Sequence, residues 1–466
     1  MKNTDLLKIF AMLLVFVLLL AACGGGEEAA PAEEEAAPAE EEAAPAEEEV
    51  VAEAPAGKTT IEFWLEPDEA CHVEVAVDAF NAQSDTVFVE AVLIEDPWDP
   101  TRTAIAAGEG PDIVNTPGPS FVFELVQAGQ LMSLDEMSDV HGWGDRFAPF
   151  ALNLGSVEGQ LYSLPDEMET LVVYYNKTLF EENGWEIPTT MDELHALSEE
   201  IDAAGIIPFG HANADWRPAN EWYVGEYLNH VAGPDKVYQA LTGEVDWTDP
   251  DFVLAIEMLN EAQQNGWYMG GLEFYYTTLW DDFHVANATG EAAMNIEGTW
   301  SAADINEVYF VEDTGGNEWD WFPVPTLTGD TVFDIGMGNT KSINANSEHP
   351  EEAAEFLDFY FSPEIQAERF VQCGLAPAPV KIPEGTITGV DPRIASIFEE
   401  LSAAAAAGDY GYTTWTFWPP KSDVYIYEEI EKVWAGDITP LEYLEGLEEL
   451  FQEEFDAGEI PPIPER

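Results

Sequence analysis

Several tryptophans in this chain stand where the backbone turns rather than where an apolar stripe requires them. Trp64 closes a β-rich run, Trp300 follows Gly298, and Trp415 and Trp418 lie just before Pro419. An indole face suits the apolar C–H faces of a pyranose ring, and neighbouring acids and amides can accept from or donate to its hydroxyls. Any one of these residues fits a hydrophobic core equally well. As a set placed at turns they point to a ligand cleft, with Trp222 a weaker member. Glu167 and Glu169 precede a β-branched, aromatic run and are candidate acceptors for hydroxyls, although solvated acids would look the same.

Enzyme signatures are missing. The chain contains no Gly-x-Ser-x-Gly elbow and no phosphate-binding P-loop. Gly336-Met337-Gly338 starts like a dinucleotide fingerprint, but Lys341 occupies the third glycine position. The seven histidines include no pair four residues apart, so a zinc site has no support. With 92 acidic residues, almost any two carboxylates could be nominated as a catalytic pair, so they carry no signal. No catalytic residue, cofactor or metal is expected.

Those candidates sit in a chain of 466 residues with 15 Lys+Arg against 92 Asp+Glu, a formal net charge of -77. So few cations cannot neutralise a phosphate backbone, which excludes nucleic acid as a partner. A content of 46% hydrophobic and 12% aromatic residues still supports a packed core. Cys23, Cys71 and Cys373 are too few for a disulfide-built scaffold. One bond between Cys71 and Cys373 and two buried thiols are equally compatible with the sequence.

The first 22 residues read as a targeting segment: Lys2 and Lys8 precede an apolar run from Ile9 to Leu20. That run is shorter than the roughly 20 residues of a membrane-spanning helix. Leu20-Ala21-Ala22-Cys23 is similar to a bacterial lipobox, in which the cysteine is acylated and becomes the new N-terminus. The alternative is an ordinary secretory signal that happens to contain a cysteine. Residues 23–57 then carry Ala-Ala-Pro-Ala-Glu-Glu-Glu three times over. Recurrent proline interrupts any helix and the glutamate blocks repel one another, so this stretch is expected to be a solvated tether.

Beyond it, strand-like and helix-like stretches alternate, which predicts an α/β fold. Thr59–Leu65, Val87–Ile94, Asp112–Asn115 and Leu171–Tyr175 read as strands. Cys71–Gln83, Thr189–Ala204 and Pro350–Phe361 read as helices, the second with a capping box of Thr190 and Glu193. From Asp391 onward the pattern is mostly helical.

In that setting the motifs Gly110-Pro111-Asp112-Ile113, Tyr162-Ser163-Leu164-Pro165 and Tyr174-Tyr175-Asn176-Lys177 resemble the solute-binding proteins of ABC importers, the family that includes maltose- and multiple-sugar-binding receptors. The resemblance continues through Phe180 to Gly184 and Ile187 to Leu194. It takes in Gly290-Glu291-Ala292-Ala293-Met294, which ends in Gly298-Thr299-Trp300, and finishes with Gly374-Leu375-Ala376-Pro377. It spans nearly all of residues 59–466. What it implies is a two-lobed periplasmic-binding-protein-like fold with hinge crossings near Leu171–Tyr174, Val332–Gly338 and Ala376–Val380. Lobe one would comprise 58–170 with 337–378, and lobe two 171–336 with 379–466. The implied function is capture of a sugar between the lobes and its delivery to membrane permease subunits, by a monomer held outside the cytoplasm through a lipid anchor on Cys23. Trp300 matches the family's sugar-stacking position, and Trp64, Glu66, Thr116 and Pro117 match lobe-one positions at the cleft rim. Gly338 and Asn339 fall at the implied second crossing, where a glycine lets the backbone approach a ligand. Asp112 is expected to be structural. Glu66, Asp68 and Glu69 add negative charge there, which argues against an anionic ligand. A cationic solute such as a polyamine, a surface glycoside hydrolase and an adhesion protein are the alternatives.

Overall fold

The computed structural model describes residues 57–66, 70–94, 97–374, 376–383 and 386–464. The targeting segment, Cys23, the tether up to Ala56, Asp68, Glu69 and Leu375 lie outside the described residues. Among the described residues no helix is long and apolar enough to cross a membrane.

Two sheets organise the chain. The first is built on β1 (Thr59–Leu65), β2 (Val87–Leu93), β3 (Ile113–Thr116), β6 (Ser163–Glu169), β11 (Asp334–Ile343) and β12 (Gly411–Tyr412). Its order is β12-β11-β3-β1-β2, with β6 antiparallel to β11. The strands β4 (Ser156–Val157) and β5 (Gln160–Leu161) form a separate small hairpin. The second sheet runs β10 (Trp319–Pro323), β7 (Leu171–Asn176), β9 (Ala292–Gly298), β8 (Ile207–Phe209). Alternation explains β1, in which Ile61, Phe63 and Leu65 are fully buried while Glu62 is exposed. By contrast β7 and β9 are buried throughout, and β9 takes the polar side chains of Asn295 and Glu297 inside with it.

Adjacent strands β6 and β7 belong to different sheets, so the chain changes sheet at Thr170. It returns between Pro323 and Asp334. Downstream of helix Pro363–Cys373, Val380 still bridges Phe147 and the Lys381 amide still donates to the Arg146 carbonyl at 3.0 Å. Ile387 and Val390 then pack on the core of the second sheet. Each sheet has its own main core: Phe63, Phe80, Phe356 and Tyr360 in the first, Tyr175, Trp222, Tyr268 and Trp319 in the second.

Local signals shape the helices. Helix Met191–Ala203 buries Met191, Leu194, Leu197 and Ile201, the stripe that the sequence predicts. Thr190 caps it, accepting from the Glu193 amide at 3.2 Å, but the Glu193 carboxylate turns back to Thr189 at 2.8 Å. Cys71 and Cys373 are disulfide-bonded, which decides between the two arrangements the sequence left open. The bond joins the first helical turn after β1 to the end of helix Pro363–Cys373.

Candidate functional site

The strand β9 ends at Gly298, and the chain tightens at once into the turn Thr299–Ser301. That turn folds the Trp300 indole back over the Gly298 α-carbon. A Cβ at Gly298 would stand 2.2 Å from the ring, so only glycine fits there. Trp300 then meets Trp222, from helix Asn220–Tyr227, at a ring separation of 5.1 Å, and Trp415, from helix Thr414–Phe417, at 5.9 Å. Trp280 extends the row by packing edge-on against Trp222 at 5.8 Å. Four indoles from four separate elements thus form one aromatic wall, in which Trp300 and Trp415 stay half-buried rather than enclosed.

Acids line this wall. Glu297, fully buried at the end of β9, accepts from the Gly298 amide at 3.0 Å and from the Asn295 side chain at 3.4 Å. Trp300 and Ser301 also donate to it. Burial pushes its pKa up to about 8, and these hydrogen bonds offset only part of that rise. His284 approaches it at 4.0 Å, but burial lowers the imidazole pKa to about 3, so the pair is not ionic. Glu169, at the end of β6, hydrogen-bonds Trp415, and burial followed by the charge of Glu167 raises its pKa well above the usual carboxylate range. Its carboxylate lies on Gly338 of β11: a Cβ at that position would be 1.9 Å from Oε1. The next residue, Asn339, has a left-handed backbone (φ 43°), a conformation asparagine tolerates better than most side chains. The β6–β11 pairing lapses there and resumes in the same register at Thr340.

Behind β6 lies a buried charge network. Asp166 pairs with Arg369 at 2.7 Å and Lys341 at 2.9 Å, and accepts from the Tyr360 hydroxyl at 2.7 Å. Burial opposes its ionisation, but Arg369 and Lys341 hold its carboxyl well below the usual range. Glu167 faces the same Arg369 at 3.7 Å. His72, 3.9 Å from Glu167, is kept neutral chiefly by burial and then by Arg369.

The nominated residues therefore separate into groups. Trp222, Trp300, Trp415, Glu167, Glu169 and Gly338 are linked by direct contacts, and Asn339 adjoins them. Thr116 is fully buried, its hydroxyl 2.5 Å from that of Thr340, and so serves the sheet; Pro117 beside it is exposed. Trp64 is half-buried on β1 and donates to Glu62 at 3.1 Å, and Glu66 stands two residues further on, just past the end of that strand. Trp418 is a correction: it is fully enclosed, its ring 5.2 Å from that of Trp247 and tilted against it in the core, and presents no face to a ligand. Asp112 accepts from the Glu62 amide at 2.9 Å and the Ser347 hydroxyl at 2.5 Å, tying β1 to the loop after β11. Sequence reasoning missed Trp280 and Glu297, although Glu297 lies inside the Gly290–Trp300 segment it had singled out.

Two α/β lobes, with an aromatic, acid-lined wall fed by elements of both sheets, are the architecture of two-lobed solute-binding proteins. The chain belongs to the bacterial extracellular solute-binding protein family, whose profile matches residues 73–367. A multiple sugar-binding protein of Streptococcus mutans is 22% identical over 320 residues, 66% of this chain and 72% of the relative. A galactooligosaccharide-binding protein of Bacillus subtilis is 27% identical over 368 residues, 77% of each chain. Among solved structures, a chitin oligosaccharide binding protein superposes with a TM-score of 0.72 at 22% identity, covering 86% of this chain and 100% of that one. The binding protein RafE in complex with raffinose does so with a TM-score of 0.65 at 22% identity, covering 85% and 99%.

Proposed function

We propose that this protein is the extracytoplasmic receptor of an ABC importer and captures a neutral sugar or oligosaccharide for delivery to membrane permease subunits. The observation that carries this reading is the aromatic wall of Trp222, Trp300 and Trp415 with Glu169 and Glu297 set against it. Indole faces supply apolar stacking surface, and the two carboxyls supply hydrogen bonds to hydroxyls. The names of the relatives, which are sugar and oligosaccharide binders, support the same class. The division into lobe one, 58–170 with 337–378, and lobe two, 171–336 with 379–466, then needs one adjustment: the bonds of Pro379 and Lys381 to Ala148 and Arg146 extend lobe one to Lys381, and the third crossing follows it. Ligand contacts to both lobes would stabilise the closed form that the permease reads. A monomer suffices for this cycle, Cys23 would carry the lipid anchor, and residues 23–57 would be the tether. Binding proceeds without turnover, so no residue is assigned a catalytic role.

Titration of the full chain with a panel of neutral oligosaccharides, followed by tryptophan fluorescence and calorimetry, tests this. At least one sugar should bind and shift the fluorescence, and Trp300→Ala should weaken it tenfold or more, about 1.4 kcal/mol. A flat response across the panel together with binding of a polyamine would overturn the sugar assignment. Hydrolysis of a bound chromogenic glycoside would overturn the assignment as a receptor without catalysis.

A further inference from the structure

Away from the aromatic wall, three titratable side chains converge in the interior. Helix Asn220–Tyr227 continues directly into the turn Leu228–Ala232, so Glu226 and His230 stand one helical turn apart on the same face. Opposite them is Asp334, the first residue of β11. All three are at most 2% exposed. The His230 Nε2 atom lies 3.1 Å from Glu226 Oε2 and 3.4 Å from Asp334 Oδ1, and one ligand atom from each residue falls within 4.8 Å of the other two.

The Glu226 carboxyl meets that of Asp334 through a hydrogen bond. Neither nitrogen of His230 has a partner with the alignment of a hydrogen bond, even though Nε2 is within hydrogen-bonding distance of the Glu226 carboxylate. Close approach without that alignment is what atoms aimed at a common third centre would show. Among the described residues, no lysine or arginine forms an ion pair with Glu226 or His230. Two carboxyls side by side in a dry interior are neutralised by a proton held between them or by a cation that displaces it, since an isolated buried charge costs several kcal/mol. The cradle is also tight. A Cβ at Gly411 of β12 would stand 1.8 Å from Asp334 Oδ1, and Asn229 fastens that strand by donating to the Tyr412 carbonyl at 2.9 Å and accepting from its amide at 3.0 Å.

We propose that Glu226, His230 and Asp334 bind a divalent transition-metal cation, Zn²⁺ or Mn²⁺. Two hard carboxylates with one imidazole suit metals that accept mixed oxygen and nitrogen ligation, whereas Ca²⁺ and Mg²⁺ favour all-oxygen sites. A dication neutralises both carboxylates and joins the helix bearing Trp222 to the start of β11. The bound ion is structural: it fixes the strand at the second change of sheet relative to that helix. This inference does not depend on the identity of the sugar.

The test uses the full chain, made without a histidine tag, stripped with chelator and titrated with ZnCl₂ or MnCl₂ alone while uptake is measured by elemental analysis and calorimetry. One equivalent of one of these metals should bind and raise the melting temperature. His230→Gln and Glu226→Gln should each abolish that equivalent while preserving the circular-dichroism spectrum. Equal uptake by wild type and His230→Gln would be adventitious binding by surface acids and would overturn the proposal. Should the variants not fold, Co²⁺ added to the stripped wild type decides: a visible absorption band displaced by Zn²⁺ or Mn²⁺ supports the site, and its absence overturns it.

Discussion

Replacing Asp166 with asparagine removes one charge and almost no volume from the network behind β6. In the native protein Asp166 is fully buried between Arg369 at 2.7 Å and Lys341 at 2.9 Å, with the Tyr360 hydroxyl donating to it at 2.7 Å. With Glu167 included, two anions face two cations, and neutral His72 leaves the balance undisturbed. Asp166→Asn leaves two buried cations with Glu167 alone to offset them. Breaking a buried pair from one side costs ~3–5 kcal/mol, because the remaining charge stays desolvated. For a folded body of about 400 residues, an unfolding entropy of ~2.1 cal/mol/K per residue turns 4 kcal/mol into a fall in Tm of roughly 5 °C. The pH dependence has a definite sign. Asp166 is held below its unfolded range, so its contribution is complete above an unfolded pKa of about 3.9 and is lost as pH falls toward the folded value. Scanning calorimetry at pH 7 and again below pH 3 should therefore show a gap between wild type and variant that narrows on acidification. A variant within 1 °C of wild type at pH 7, or a gap indifferent to acid, would refute the reasoning.

Glu297 has the opposite sign. Its pKa is raised to about 8, so the stability it contributes is complete below the unfolded value of about 4.3 and is lost progressively as pH rises through 8, at up to ~1.4 kcal/mol per pH unit. Glu297→Gln keeps the oxygen that accepts from Gly298, so calorimetry from pH 5 to 9 should show a flatter profile and a variant at least as stable as wild type at pH 8.5; a parallel profile would contradict it. The Cys71–Cys373 bond closes a separation of 302 residues, and chain entropy gives it on the order of 5 kcal/mol. Cys71→Ser should accordingly lower Tm by several degrees under oxidising conditions and make it insensitive to dithiothreitol, whereas a native Tm in the variant would show that the bond contributes nothing.

How much was legible in the sequence follows from how local each feature is. Helix Met191–Ala203 shows its buried stripe and its cap within about fifteen consecutive residues, and both are in the structure. Trp300 was readable for the same reason, because the glycine that lets its ring fold back stands two residues before it. Trp418 shares that appearance, a tryptophan at a turn before proline. Its enclosure, however, comes from Trp247, itself packed on Phe451, and no window around residue 418 contains either. The Asp166–Lys341–Arg369 network has the same character, being assembled by strand pairing and helix docking across distant segments. Glu297 was hidden by abundance. Only burial distinguishes it from the other acids, and burial is a property of the fold.

That distinction also changes what the acidity says about the ligand. Removing the tether glutamates, Asp5, Lys2 and Lys8 still leaves a net charge of −66, which by itself invites a cationic solute. The carboxyls that touch the aromatic wall do not behave like the average acid. Both Glu169 and Glu297 are desolvated and their pKa values raised, Glu297's to about 8, so the wall carries less charge than the count implies. An aromatic box built for a polyamine gains from carboxylates that remain ionised beside the cation. A neutral sugar needs the reverse: groups that hydrogen-bond hydroxyls without adding an unpaired buried charge. Protonated acids against indole faces meet that need. The negative charge then belongs to the outer surface, where water and salt screen it, while the wall is suited to a ligand that carries none.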